Sequence, residues 1–182
     1  STNVAGILAY INTHYLKKPL QELRKESLQF GSDIPFFLNQ TGSAIISGIG
    51  EKCTPTQTQT HPFYLLIIPP LEMITAKIYS IFDQHYPQKS IPEDNLEIGQ
   101  NDLKSAVWSQ SEHYKALEET LKHQNAPPLY LSGSGATVFC PIQTFEEGQK
   151  WESFLKETYP SYRILLVKPG ANSMEINKHV NL

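Results

Sequence analysis

The order of apolar runs after residue 62 constrains the fold more than any other feature of the chain. Phe63-Tyr64-Leu65-Leu66-Ile67-Ile68 is a continuous apolar run of strand length, ended by Pro69-Pro70. Ile74, Ile78, Ile81 and Phe82 recur at helical spacing and predict a helix that Pro87 stops, with a polar loop running on to about Gln100. Short helices are predicted over Asp102 to Trp108 and Glu112 to His123. Leu129-Tyr130-Leu131 and Ala136 to Cys140 read as two strands joined by Ser132-Gly133-Ser134-Gly135. Thr144 followed by Glu147 is a capping box, Trp151, Phe154 and Leu155 give that helix its apolar face, and Arg163 to Val167 is the last strand. Strand, helices, strand, strand, helix, strand is the split β-α-β-β-α-β pattern with extra helices in the first crossover. It predicts an α+β fold whose antiparallel sheet carries helices on one face.

The part before residue 63 reads differently. Val4, Ile7, Leu8, Ile11 and Tyr15 predict a helix that buries this face, with the cap-type residues Ser1, Thr2 and Asn3 before it. A chain that opens on a helix cap is expected to have lost a segment upstream. Pro19 suits the first turn of a second helix with Leu20, Leu23 and Leu28 on one side, and Gly31 suits its stop. Gly31 to Phe37 is expected to break that helix, Thr41-Gly42 to turn, Ser43 to Ile49 to form a strand, and Thr54 to Pro62 to be a loop.

Composition serves mainly to exclude. The 182 residues carry a formal net charge of -3, which lacks the basic footprint of a nucleic-acid binder. An acidic protein can still handle phosphate, because the positive potential need only be local. No apolar run approaches the roughly 20 residues of a membrane span, and no signal peptide is visible. Cys53 and Cys140 stand far apart without a second pair, which fits two reduced thiols in a cytosolic protein. The six histidines show no metal-ligand spacing.

Three segments could carry chemistry. Ser1-Thr2-Asn3-Val4-Ala5 opens a helix, whose unpaired N–H groups suit phosphate, although on these residues alone an ordinary cap is the favoured explanation. Asp33, two residues before Pro35 and beside apolar neighbours, is either a functional carboxylate or an Asx-type turn. Ser132 to Phe139 places two glycines between strands, which lets backbone amides approach an anion or simply closes a hairpin.

Taken together and in order, Ser1 to Ala5, Gly31-Ser32-Asp33-Ile34-Pro35-Phe36-Phe37, Ser47-Gly48-Ile49-Gly50-Glu51 and Ser132-Gly133-Ser134-Gly135-Ala136-Thr137-Val138-Phe139 resemble the GHMP family of small-molecule kinases. The Pro-Phe-Phe ending, Gly48 to Glu51, Pro69 before Ile74-Thr75-Ala76, Asn101-Asp102-Leu103 and the tail Lys168 to Asn172 are closer to the branch that acts on 4-diphosphocytidyl-2-C-methyl-D-erythritol. The match runs from Ser1 to about Asn172.

The resemblance implies a truncated GHMP kinase, the C-terminal two-thirds of the family's chain. Residues 1–50 would be the remnant of the N-terminal, ATP-binding domain and 51–182 a ferredoxin-like C-terminal domain. It implies ATP-dependent phosphorylation of that substrate's 2-hydroxyl in the non-mevalonate isoprenoid route, in the cytoplasm. ATP and Mg2+ would be the cofactors and a small molecule the partner, with neither nucleic acid nor membrane involved and no dedicated protein metal site. Asp33 matches the family's catalytic aspartate. Ser1, Thr2 and Asn3 match the end of its ATP-binding glycine-rich loop. Thr75 matches a substrate-contacting threonine, and Gly133, Ser134 and Gly135 match the second glycine-rich loop beside the reacting groups. The family's glycine run, and an N-terminal segment carrying a lysine that pairs with the aspartate and aromatic and histidine contacts to cytosine, are not among these 182 residues. The chain alone is therefore expected to be a poor or inactive kinase. The alternatives are another GHMP small-molecule kinase or a non-catalytic binding domain with the same C-terminal fold.

Overall fold

A computed structural model describes residues 1–39, 41–56, 61–85 and 99–170. The chain divides into two compact units, one built from the residues up to Thr60 and one spanning His61–Pro169.

The first unit contains helices α1 (Thr2–Ile11), α2 (Leu20–Ser27) and α3 (Ile34–Leu38) and the strands β1 (Ala44–Ser47) and β2 (Lys52–Pro55). α1 runs into a π-helical turn, Asn12–Leu16, which the Asn12 side chain closes. Its Nδ2 donates to the Lys18 carbonyl at 3.1 Å, and its Oδ1 accepts from the Lys18 amide at 2.9 Å. The small core of this unit is Ala5, Leu23, Ile34 and Leu38, backed by Leu8, Ala9 and Phe37.

Three expectations change here. Of the five residues assigned to the buried face of α1, only Leu8 packs against this core, while Ile7 is 60% and Tyr15 73% exposed. α1 is apolar on two sides, so spacing alone does not choose between them, and the side carrying Ala5 and Ala9 admits its neighbours closely. The Gly31–Phe37 segment does not merely break a helix, since Ile34 starts α3 with a proline in its first turn, where no amide is needed. The expected strand over Ser43 to Ile49 ends at Ser47. Gly48 and Gly50 adopt φ of 70° and 106°, turning the chain into β2, which pairs antiparallel with β1 in the register Ala44↔Pro55.

In the second unit the strands are β3 (Phe63–Ile68), β4 (Tyr130–Leu131), β5 (Val138–Ile142) and β6 (Arg163–Val167). They form one antiparallel sheet in the order β4-β5-β3-β6, with Leu65 opposite Cys140 on one side and Leu166 on the other. Helices α4 (Thr75–His85), α5 (Lys104–Trp108) and α6 (Glu112–His123) fill the first crossover, and α7 (Phe145–Thr158) the second. Alternate strand residues Leu65, Ile67, Val138, Cys140, Ile142 and Ile164 share one core with Ile78, Val107, Tyr114, Leu117, Trp151 and Leu155 of the helices. This is the expected β-α-β-β-α-β order. Ala136 and Thr137, expected in a strand, belong instead to the turn that the Ser132 amide closes on the Thr137 carbonyl at 3.1 Å. Thr144 caps α7 by accepting from the Glu147 amide at 3.1 Å, and the Glu147 carboxylate accepts from the Gln143 amide at 3.0 Å. Burial pushes the Cys140 thiol up to about 12, and both cysteines are free. Part of the loop expected before Pro62, Pro87 with the polar loop after it, and the tail from Ala171 lie outside the described residues. No helix among the described residues is long and apolar enough to cross a membrane.

Helices α5 and α6 are tied by Glu118, which accepts from Lys104 Nζ at 3.0 Å and from Trp108 Nε1 at 3.1 Å. Burial alone would raise this carboxyl, but the bonds from Lys104 and Trp108 outweigh it and hold the group below its ordinary value of 4.5. A carboxyl depressed on folding contributes stability above its unfolded value and loses it as pH falls through the folded one. Urea midpoints of the parent and Glu118→Gln are therefore expected to differ at pH 7, with the parent higher, and to converge as the pH falls through the folded value. A gap that persists at the lower pH would show that the carboxylate charge is not what ties the helices.

Candidate functional site

In the first unit, α1 opens at Ser1 without a side-chain cap and without an acidic residue in its first turn. Ser1, Thr2 and Asn3 are exposed, and the first-turn amides of a helix have no intrahelical acceptor, so this end suits an anion. Asp33 stands at the N-terminal boundary of α3 but does not use its carboxylate to cap that helix. Its Oδ2 instead accepts from the Ser1 hydroxyl at 3.4 Å, and the pair is exposed. The structure thus joins two of the residues singled out from sequence, on segments more than a helical hairpin apart in the chain.

The Asp33 segment is supported from the hairpin. The β1–β2 turn is fixed by the Ile49 amide, which donates to Glu51 Oε2 at 2.7 Å. Gly50 is buried in that turn against the Ser32 carbonyl, well inside the distance a Cβ would need. At the other end of α3, Arg24 donates to Asn39 Oδ1, and Asn39 Nδ2 donates to Cys53 Sγ at 3.0 Å, linking α2 and α3 to β2.

In the second unit the Ser132–Ala136 turn joins β4 to β5, with Gly133 and Gly135 at φ of 56° and 87°. The Gly135 amide donates to the Ser132 carbonyl at 3.1 Å. The hydroxyls of Thr75, at the start of α4, and Ser134 are bonded at 2.9 Å. A cleft of about 190 Å³ beside Thr75 is lined by Leu71, Met73, Lys77, Gln110 and Ser111. Asn101 Nδ2 donates to the carbonyls of Leu131 and Gly133, at 3.2 and 2.8 Å. The Tyr114 hydroxyl donates to the Ala136 carbonyl at 3.2 Å, and its ring stacks on Trp108 with centroids 4.8 Å apart. Burial, with Tyr162 adding to it, pushes the Tyr114 hydroxyl up to about 12, so it is a neutral donor at ordinary pH.

Sequence reading named neither Tyr114 nor Gly50 as a site residue, and it treated Asn101 only as part of a motif. Tyr114 lies on the apolar stripe of α6, where nothing separates it from a packing residue. Asn101 gave a weak signal as a short polar residue ahead of a helix, where Asx side chains bond nearby backbone; its Oδ1 accepts from the Leu103 amide at 3.0 Å. Among the described residues no group of three or more His, Cys, Asp or Glu converges on a point that could hold a metal ion.

The fold is that of a GHMP kinase. It matches the crystal structure of a 4-(cytidine 5'-diphospho)-2C-methyl-D-erythritol kinase over 91% of this chain and 63% of that one, with a TM-score of 0.66 at 17% identity. Curated relatives carry the likeness into sequence. Chains named 4-diphosphocytidyl-2-C-methyl-D-erythritol kinase are 30% identical in Shewanella piezotolerans, over 94% of this chain and 59% of the relative. In Clostridium botulinum the identity is 27%, over 87% of this chain and 61% of the relative, and in Chlorobium luteolum 26%, over 93% and 63%. The resemblance drawn from the motifs is thereby borne out. The chain spans about 60% of the length of the curated relatives it matches. No family model matches it.

Gly50 provides a test of how the Asp33 segment is held. Gly50→Ala forces a positive φ on an L-residue and drives a methyl into the Ser32 backbone, which is expected to cost about 1–3 kcal/mol in denaturant unfolding. Gly42→Ala meets open space and is expected to change stability by less than about 0.5 kcal/mol. Equal effects from the two would show that the hairpin does not press on Ser32.

Proposed function

We propose that the chain is part of an ATP-dependent kinase that phosphorylates the 2-hydroxyl of 4-diphosphocytidyl-2-C-methyl-D-erythritol, in the cytoplasm, in the non-mevalonate route to isoprenoid precursors. Residues 1–50 are assigned to its ATP-binding domain and 51–182 to its C-terminal domain. The observation that carries the reading is the Ser1–Asp33 pair at the uncapped start of α1: a carboxylate beside a hydroxyl, next to a helix end that favours phosphate. The relatives' names support this choice of substrate.

In this reading Asp33 accepts the proton of the substrate hydroxyl or orients it as its oxygen attacks the γ-phosphorus and the bond to ADP breaks. Ser1, Thr2 and Asn3 contribute the α1 end of the ATP phosphate site. Thr75, Gly133, Ser134 and Gly135 contact the substrate. Phosphoryl transfer gains most from positioning and charge stabilisation, so one carboxylate and a set of amides are suitable equipment. The donor set fits Mg2+, which prefers hard oxygen and takes one or two protein ligands alongside nucleotide phosphates. A hydroxyl at the α1 end, Ser1 or Thr2, would contact it alongside the nucleotide phosphates, whose charge it would neutralise.

Replacement of Asp33 by Asn in the full-length protein is expected to lower turnover about 10²- to 10⁴-fold. Thermal stability and nucleotide binding should stay near those of the parent, because the carboxylate caps nothing. Turnover unchanged by this substitution would favour a non-catalytic binding domain, and phosphorylation of a different alcohol in preference would favour another GHMP kinase.

The 182 residues by themselves hold neither the family's glycine run nor its aspartate-pairing lysine. A steady-state assay of this polypeptide alone is expected to show turnover at least about 10²-fold below the full-length protein, the loss typical of removing transition-state donors. Rates near those of the full-length protein would remove the roles given to those missing groups.

A further inference from the structure

We propose that Asn101 is a positioning residue that fixes the Gly133–Ser134 peptide plane so that the Ser134 amide is presented to a phosphoryl or diphosphate oxygen of the substrate, with Tyr114 holding the far side of the same turn. The catalytic half of this inference rests on the kinase reading; the structural half does not.

The turn has little to hold it by itself. Ser132-Gly133-Ser134-Gly135 has small side chains throughout, and its two glycines reach positive φ at the largest entropic cost of any residue. β4 is only 2 residues long, so the ladder on that side is short. Side chains from outside the hairpin supply the restraint. Asn101 donates from one amide nitrogen to the carbonyls of Leu131 and Gly133, and its own oxygen is fixed by the Leu103 amide at the start of α5. The Tyr114 hydroxyl takes the Ala136 carbonyl, and the ring is anchored by Trp108, whose Nε1 is tied to Glu118. The Thr75 hydroxyl meets Ser134.

The consequence lies in peptide geometry. In a planar trans peptide the carbonyl and the following N–H point in opposite directions. With the Gly133 carbonyl held by Asn101, the Ser134 N–H must point away from Asn101. That N–H donates to no protein acceptor among the described residues, whereas the Ser132 and Gly135 amides of the same turn are both bonded within it. The Ser134 amide is thus left as a donor, next to the Thr75–Ser134 hydroxyl pair. A backbone donor held rigidly by its neighbours is suited to a developing or transferring negative charge, because it need not reorganise during reaction.

The test uses the full-length protein with Asn101→Ala and Tyr114→Phe, the latter keeping the buried ring on Trp108. Tyr159→Phe is the control: it also removes a tyrosine hydroxyl, but one that bonds Thr120 and Ala116 of α6 rather than the turn. Amide exchange of residues 132–137 is expected to quicken about tenfold or more in Asn101→Ala, and by less in Tyr114→Phe, with no change in the control. kcat is expected to fall about 10- to 100-fold in Asn101→Ala, with KM for ATP within about twofold of the parent. Unchanged exchange of the turn in both variants overturns the restraint, whatever the activity. Faster exchange with kcat unchanged overturns the catalytic role. If Asp33→Asn is as active as the parent, the kinase reading fails instead, and the exchange measurement decides the restraint alone.

Discussion

The two-sided pairing of β3 is the constraint from which the second unit follows. Phe63–Ile68 hydrogen-bonds β5 on one edge and β6 on the other, and its alternate residues Leu65 and Ile67 enter the core. β3 is paired on both edges along its whole length and carries no proline, and Pro69-Pro70 ends it. The antiparallel register then sets Ile67 opposite Val138, so the end of β3 and the start of β5 lie side by side. Val138 is the first strand residue after the glycine turn, and Thr75 is the first helical residue after β3. Their proximity is therefore a product of strand register. The 2.9 Å bond between the Thr75 and Ser134 hydroxyls is its chemical expression, although the two residues are 59 positions apart. A slip of one residue would turn every side chain of β3 to the other face and separate this pair.

The first unit reaches a comparable result with far less buried surface. Its core is four buried residues, of which Ala5 is the contact that lets α1 lie close to α3. That closeness carries the Ser1 hydroxyl to Asp33, which stands at the start of α3. A small core leaves little margin, and the unit compensates with polar ties. Asn12 closes the end of α1, the Arg24–Asn39–Cys53 chain of bonds secures α3, and Gly50 admits the hairpin turn to the Ser32 backbone. Any larger residue at position 50 would push on the peptide next to the carboxylate.

What could be read from the sequence follows the range of the interactions involved. α6 and β6 have their expected bounds, because one is a long periodic stripe closed by its own caps and the other a continuous apolar run between polar segments. The β-α-β-β-α-β order was legible for the same reason, as was Thr144 with Glu147, a bond that spans one turn. β2 was not legible: Lys52–Pro55 is short and mostly exposed, and only its partner β1 makes it a strand. The buried side of α1 was misread because both of its sides are apolar, and the choice belongs to α2 and α3. Of the candidate site, Asp33, the Ser1 end of α1 and the glycine turn were singled out as types of residue in types of place. The pairs Ser1–Asp33 and Thr75–Ser134, and the donors from Asn101 and Tyr114, are tertiary facts that no local pattern contains.

Much of the candidate chemistry is carried by backbone rather than side chains. In the proposed site the α1 end would act through unpaired amides and the glycine turn through the Ser134 N–H, and at such positions the sequence need only be small enough to stay out of the way. Where the backbone does the work, the residues that matter most are those that orient it, and these sit outside the loop they serve. Asn101 orients two carbonyls and Gly50 permits one close approach. Such residues look unremarkable in a sequence, because their partners are main-chain atoms that every residue possesses. This accounts for a fold being recognisable in three dimensions at 17% identity, since what the superposition retains is a path of the main chain. It also explains why fold alone does not fix the reaction: a backbone donor accepts any anion that fits, and the choice among alcohols falls to the few side chains around it.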